Sequence, residues 1–276
     1  MNVTAADIFI LLATGAVAGF TGGMLGLGGA FIMTPLQYFV YTNMGLSADV
    51  AIKTAFGTSL LVVLTIAISA AWRHHREQAV EWRVAVIMGG CGMIFALVGA
   101  TLANHIPGAA LKIVFGAIAI ISSVRMFIAT RELVEAEPGN KPFLWAAWAI
   151  PIGLFSGLLG VGGGVLLIPI LVIVLKFKMH HAVANSLAII IFTSIGGIIG
   201  YTINGIGVAD RLSYSVGYIN LTSWVLLAIP GAILAQVGAA ATHRIPRKLL
   251  MYIFVIVLLY IGLRMIGIFE WLGWPL

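Results

Sequence analysis

Ten apolar segments, separated by short polar or glycine-rich stretches, follow one another along the chain. They lie near residues 5–20, 31–43, 50–72, 84–103 and 110–129, and near 143–156, 164–176, 182–203, 222–241 and 248–268. A helix needs about 20 apolar residues to cross the hydrocarbon core of a bilayer. The last three segments of each half meet that length, whereas the first two are short and are separated by a glycine cluster. The pattern predicts an all-α polytopic membrane protein.

The composition agrees with this prediction. The chain is 61% hydrophobic and only 9% charged, whereas soluble domains are about 25% charged. Its net charge of +6 comes from basic residues in short loops, so it indicates orientation in a membrane rather than nucleic-acid binding. No Lys or Arg precedes Lys53. The first segment therefore lacks the basic region of a signal peptide and is expected to be retained.

The two halves of the chain repeat each other. Residues 19–30, GFTGGMLGLGGA, match residues 153–164, GLFSGLLGVGGG, at a constant offset of 134, and Pro35 matches Pro169 at the same offset. Two later matches follow in the same order, 98–100 with 237–239 and 125–126 with 264–265. The sequence therefore predicts a duplication, with a first repeat at 1–137 and a second at 138–276. Each repeat consists of a glycine-broken hairpin and three spans.

The distribution of basic residues predicts how the repeats are oriented. If each glycine-linked pair of short segments enters and leaves on one side, each half makes an odd number of crossings and the halves are inverted. Eleven basic residues then share one face, against four on the other: Lys53, Lys112, Arg211 and Arg264. The positive-inside rule favours this arrangement, with both termini outside the inner membrane and the linker Arg131–Pro142 inside. Inverted repeats with interrupted helices are a recurring plan of transporters.

The glycine clusters are the strongest candidates for a binding site. Irregular backbone at membrane depth is tolerated only where it is buried in protein or lines a cavity. Each following half-helix would aim free N–H groups and a positive dipole end at that cavity, which suits an anion. Close helix packing without any ligand is the alternative. The predicted substrate-binding backbone consists of Gly26, Gly28, Gly29, Ala30, Gly160, Gly162, Gly163 and Gly164.

The twice-occurring pattern G-x-x-x-G-x-L-G-x-G-G-(G/A), followed by a proline, resembles the sulfite exporter TauE/SafE family of membrane transporters. The resemblance extends over nearly the whole chain through the two repeats. It implies a secondary transporter, expected to be an exporter, of small organosulfur anions such as sulfite or sulfonates. A transporter or channel for another small anion, such as a carboxylate, is the alternative. The expected partners are the substrate anion and the lipid bilayer, and a homodimer is left open.

Two polar pairs in the segment after each hairpin are further candidates. Thr58 and Ser59 correspond to Asn185 and Ser186 at an offset of 127, and the family tends to have a Thr-Ser pair here. Asn185 departs from that pattern. Hydroxyl and amide groups could donate hydrogen bonds to sulfonate oxygens without burying a full charge. Bonding back to the helix's own carbonyls is the alternative.

Other polar residues give weaker signals. Lys53 could attract an anion at the outer mouth or could be a lysine that extends to the membrane interface. The pairs His74-His75 and His180-His181 are adjacent residues, which do not share a helix face, so they are expected in solvated loops rather than at a metal. The apolar segments contain no nucleophile–base pairing or metal-ligand cluster. The sequence therefore predicts neither an enzyme nor a cofactor.

Overall fold

The computed structural model describes residues 4–128, 141–241 and 247–268, and it confirms an all-α polytopic architecture. Most of the predicted linker lies outside these described residues. One short antiparallel pair, β1 (Ser215–Val216) and β2 (Ile219–Asn220), precedes the ninth helix. The helices are α1 Ala5–Leu25, α2 Ala30–Asn43, α3 Ala48–Arg76, α4 Trp82–His105, α5 Gly108–Ile128, α6 Pro142–Leu159, α7 Gly164–Pro169 with a π-helical continuation Ile170–Val174, α8 Met179–Asn204, α9 Leu221–Ala241 and α10 Arg247–Ile266.

The first helix of each half is longer than the sequence pattern predicted. Among the described residues, the helices long and apolar enough to cross a membrane are α1, α3, α4, α6, α8 and α9. The half-length expectation for the segments at 5–20 and 143–156 is therefore wrong. Glycines 19, 22 and 23 continue α1 instead of ending it, because packing against neighbouring helices outweighs the poor helix propensity of glycine. α1 ends only at Leu25, where Gly26 adopts the left-handed conformation.

Contacts at the two ends of α3 define the direction of the bundle. Towards its start, the ring of Phe56 lies 6.4 Å from that of Tyr201, near the end of α8. Near its other end, the ring of His74 lies 5.6 Å from that of His180, at the start of α8. α3 and α8 therefore run antiparallel. The bundle has two ends, which we name after the helices α1 and α6. The "α1 end" is the end at which α3 begins. The "α6 end" is the end at which α8 begins.

Both glycine-linked pairs return to the end from which they came. α1 runs parallel to α9, because Gly15 packs on Leu227 and Gly23 on Ala235. It therefore starts at the α1 end, and α2 returns there to join α3 through residues 44–47. By the same logic α6 runs parallel to α4 from the α6 end, and the α7 segment returns there to join α8. The inverted relation of the halves within a membrane stays a prediction.

The helix contacts are reciprocal between the halves. Gly19 of α1 packs on Gly231 of α9, and the equivalent Gly153 of α6 packs on Gly92 of α4. Likewise Gly238 packs on Phe20, and its equivalent Gly99 packs on Leu154. Each of these contacts brings a position without a side chain against the backbone of the partner helix. The first helix of each half is therefore held by a helix of the other half.

Candidate functional site

The glycine turns have the same backbone shape in both halves. All three turn glycines in each copy have positive φ, a region that residues with a side chain rarely adopt. This explains why glycine occurs at the same three positions twice. The φ values are 71° for Gly26, 73° for Gly28, 79° for Gly29, 65° for Gly160, 71° for Gly162 and 88° for Gly163.

The tips of the two hairpins meet inside the bundle. A Cβ atom added to Gly164 would lie 2.7 Å from Cα of Leu27, in the first glycine turn. Gly160 packs equally closely on Phe56 of α3, where an added Cβ would lie 2.5 Å from Cα. Gly26 in turn approaches Ser186 of α8. Each turn therefore contacts the long central helix of the other half.

Val63 of α3 occupies the space between the two turns. A Cβ atom at Gly28 or at Gly162 would lie 2.8 Å from the same methyl group, Cγ1 of Val63. Ile190, at the equivalent position of α8, lies on the other side of Gly162, 3.2 Å from such an atom. Val63 is completely buried, as is Ile190. The structure thus brings the predicted glycines together around an apolar plug.

The helices that follow the turns begin without a side-chain cap. Neither Gly29, before α2, nor Gly163, before α7, provides a capping hydrogen bond, and both helix starts are buried. By contrast, Thr4 caps α1 and Ser47 caps α3 through their side chains. The first N–H groups of a helix have no partner within it, so a buried start needs a cap, a water molecule or a ligand. The positive dipole end of the 14-residue α2 favours an anionic ligand.

The first predicted polar pair has partners within the protein. Oγ1 of Thr58 accepts a hydrogen bond from the backbone N–H of Asn220 at 2.9 Å. Oγ of Ser59 lies 2.9 Å from Oγ1 of Thr34 and accepts a hydrogen bond from Nε2 of Gln37 at 2.8 Å. Both hydroxyls are completely buried. Ser59 therefore fixes α2 against α3, and Thr58 fixes the β2 connection against α3.

The second predicted pair is divided between two tasks. Ser186 donates a hydrogen bond to the carbonyl of Gly26 at 2.8 Å and so contacts the first glycine turn. The hydroxyl is also 2.8 Å from the carbonyl of Val183, within its own helix. Asn185 accepts from the backbone N–H of Glu81 and donates to the carbonyl of His181. It therefore fastens the α3–α4 connection, whereas Ser186 contacts the first glycine turn.

Two serines beside the second turn were not identified from the sequence. The hydroxyl oxygens of Ser156 and Ser194 are buried and have no hydrogen-bond partner. Ser156 lines a small, partly open cleft, whose volume of about 10 Å³ is that of a single water molecule, together with Phe31, Val161 and Gly163. Oγ of Ser194 would lie 3.4 Å from a Cβ at Gly162. A buried hydroxyl without a partner is costly, so each of these two needs a water molecule or a ligand as its partner.

These hydroxyls are present in one repeat only. At the constant offsets, Ser156 corresponds to Gly22 and Ser194 to Ala67. The neighbouring Thr193 donates a hydrogen bond to the carbonyl of Gly162 at 2.8 Å, which holds the second turn on α8. The sequence signal was available, because Thr193-Ser194 is a polar pair in an otherwise apolar stretch of the second half. The site is therefore more polar on the side of the second hairpin.

Lys53, which could have attracted an anion at the outer entrance, is bound to other groups of the protein. Its ammonium group contacts Asp49 Oδ2 at 2.8 Å and the carbonyl of Asn104 at 3.1 Å, and the residue is 4% exposed. At the same end, Tyr218 donates a hydrogen bond to Asn104 Oδ1 at 3.2 Å. Burial, and after it the Asp49 carboxylate, raises the pKa of Tyr218, so the phenol remains a donor. Lys53 thus ties α3 to the α4–α5 connection.

Comparisons with known proteins agree with the architecture. The sequence profile of the sulfite exporter TauE/SafE family matches residues 11–265. A probable membrane transporter protein of Methanocaldococcus jannaschii is 31% identical, with 93% of this chain and 94% of that protein covered. The probable membrane transporter protein YunE of Bacillus subtilis is 28% identical, with 95% and 98% covered. No solved structure matches this chain. The chain therefore belongs to the sulfite exporter TauE/SafE family of membrane transporters.

Proposed function

We propose that this transporter exports small organosulfur anions, such as sulfite or sulfonates, and binds them between the two glycine turns. One observation carries the proposal: two buried, uncapped helix starts meet beside two buried hydroxyls without partners. All of these groups are neutral hydrogen-bond donors. They can stabilise an anion without a fixed cation, which could hold it too tightly for release. The family's name supports a sulfur anion as the substrate.

The charge distribution supports an orientation for the protein in the cell membrane. Among the described positions, the α6 end carries Arg73, Arg76, Arg83, Lys141, Lys176, Lys178, Arg247 and Lys248, whereas the α1 end carries Lys53, Lys112, Arg211 and Arg264. By the positive-inside rule the α6 end faces the cytoplasm, so both termini lie outside and the halves are inverted. A negative interior favours anion exit by about 2.3 kcal/mol per charge per 100 mV. Export therefore needs no coupling ion.

The apolar plug supports alternating access as the mechanism. Val63 and Ile190 fill the space between the turns, so an anion can enter only if these side chains move away from the glycines. Rocking of one packed unit against another would open the turns first to one side and then to the other. The substrate would then replace the plug as the group that contacts the helix starts. A channel would instead need a continuous open path.

The test is transport in proteoliposomes that contain the purified protein. Sulfite, sulfoacetate, taurine and a carboxylate of matched size are compared, with an imposed potential of either sign. We expect saturable movement of a sulfur oxyanion, faster towards the positive side, and loss of movement in the Gly162→Leu variant. Movement of the carboxylate alone would overturn the substrate class. Flux that does not saturate would favour the channel.

A further inference from the structure

Four of the described histidines lie at the α6 end of the bundle, and two of them form hydrogen bonds with residues 79–82. Nδ1 of His75 accepts a hydrogen bond from the indole N–H of Trp82 at 3.0 Å. Nδ1 of His181 lies 3.0 Å from the carbonyl of Ala79. Both interactions hold the short α3–α4 connection in place. These two histidines are therefore occupied in shaping the loop.

The other two histidines come together with a carboxylate. His74 and His180 face each other across the α3–α8 contact, with ring centroids 5.6 Å apart. Glu77, at the end of α3, completes a group whose ligand atoms all lie within 4.8 Å of one another. His74 is completely buried, His180 is half-buried and Glu77 is exposed. The sequence argument against a metal considered only adjacent histidines, whereas the fold takes one residue from each pair.

We propose that His74, Glu77 and His180 form a binding site for a divalent transition-metal ion of the zinc type. Two imidazole nitrogens and one carboxylate are a ligand set that Zn²⁺ uses, with a fourth position left to water. Tetrahedral bonds of about 2.0–2.1 Å place ligand atoms about 3.3–3.4 Å apart. The ligand atoms must therefore move closer together by up to about 1.5 Å. The half-buried His180 and the exposed Glu77 have room to rotate inward.

The surroundings of the cluster are compatible with a cation. The carboxyl end of α3 carries the negative end of the helix dipole, which favours positive charge there, although the start of α8 opposes it. Glu77 also lies 3.4 Å from Nε of Arg73 in an exposed ion pair. Exposed ion pairs contribute little to stability, so a metal ion can replace Arg73 as the partner of Glu77. A bound ion would join the last turn of α3 to the first turn of α8, the two helices that hold the hairpin tips.

The proposal is tested by titrating the full-length, tag-free protein in detergent with Zn²⁺ against a chromophoric chelator. We expect one Zn²⁺ ion per chain. The His180→Ala and Glu77→Gln variants should each bind Zn²⁺ more than about tenfold more weakly, because the loss of a residue that only supports a metal ligand already lowers affinity by about tenfold. His75→Ala and His181→Ala are the matched controls and should retain the wild-type affinity. Avoiding His74 keeps the buried core intact. Wild-type affinity in His180→Ala, equal losses in the controls, or no binding at all would each overturn the proposal.

Discussion

Adding one methyl group at Gly164 should separate the hairpin tips and impair transport. Gly164 begins α7 with an ordinary helical backbone, so alanine is sterically allowed there and is favoured in a helix by up to about 1 kcal/mol. The new Cβ would, however, lie 2.7 Å from Cα, 2.8 Å from the carbonyl oxygen and 2.9 Å from the carbonyl carbon of Leu27. All three are backbone atoms, which cannot rotate away. The strain therefore falls on the contact between the tips.

The size of the effect follows from these distances. Carbon atoms pack at about 3.5–4.0 Å, so the tips must move apart by about 0.8–1.3 Å. Overpacking of this kind costs about 1–3 kcal/mol. That cost lowers the population of conformations with touching tips by about 5- to 160-fold. We expect the transport rate to fall within this range, while the protein remains inserted and folded.

The assay compares initial rates in proteoliposomes that contain equal amounts of inserted protein, with thermal stability measured in detergent. The matched control is Ala30→Gly, the equivalent position of the first repeat, where a methyl group is already accommodated and buried. This variant should lose up to about 1 kcal/mol of stability and keep nearly normal transport. If Gly164→Ala transports like the wild type, contact between the tips is not part of the transport cycle. The binding site placed between them would then be refuted.

Three further predictions concern the site and its surroundings. Gly28→Leu and Gly162→Leu should abolish flux while the protein still inserts. A branched side chain is strained at φ of 73° or 71° and would collide with the apolar plug. Normal flux in both variants would exclude the turns as the site. Ser156→Ala and Ser194→Ala should each weaken substrate affinity by about 10- to 160-fold. The stability of the substrate-free protein should stay equal or rise, because each variant removes a buried hydroxyl that has no partner. Unchanged affinity in binding assays would exclude the two serines from the site. Lys53→Met should lower stability by about 1–3 kcal/mol, because the carbonyl of Asn104 loses its charged donor. Substrate affinity should stay unchanged, and weaker binding would restore a role for Lys53 at the outer opening.

The sequence predicted the glycine turns better than it predicted the hydrogen-bond partners of the polar side chains around them. Glycine at a turn with positive φ is a steric requirement, so its recurrence at Gly28 and Gly162 could be recognised without a structure. The length of α1 could not be predicted from the sequence, because only the contact with α9 shows why the glycines continue a helix there. Whether a hydroxyl is free also depends on tertiary partners. Thr58 was therefore predicted as a site residue and Ser194 was not, although only Thr58 has a hydrogen-bond partner in the protein.

The reciprocal glycine contacts decide which parts of the molecule can exist alone. α1 lies against α9, and α6 lies against α4, at distances that leave no room for a side chain at Gly19 or Gly153. A chain cut in the linker would produce two fragments, each with a hairpin that lacks its supporting helix and with a small-residue groove open to lipid. Such fragments should be degraded when expressed singly and recovered as a pair when co-expressed.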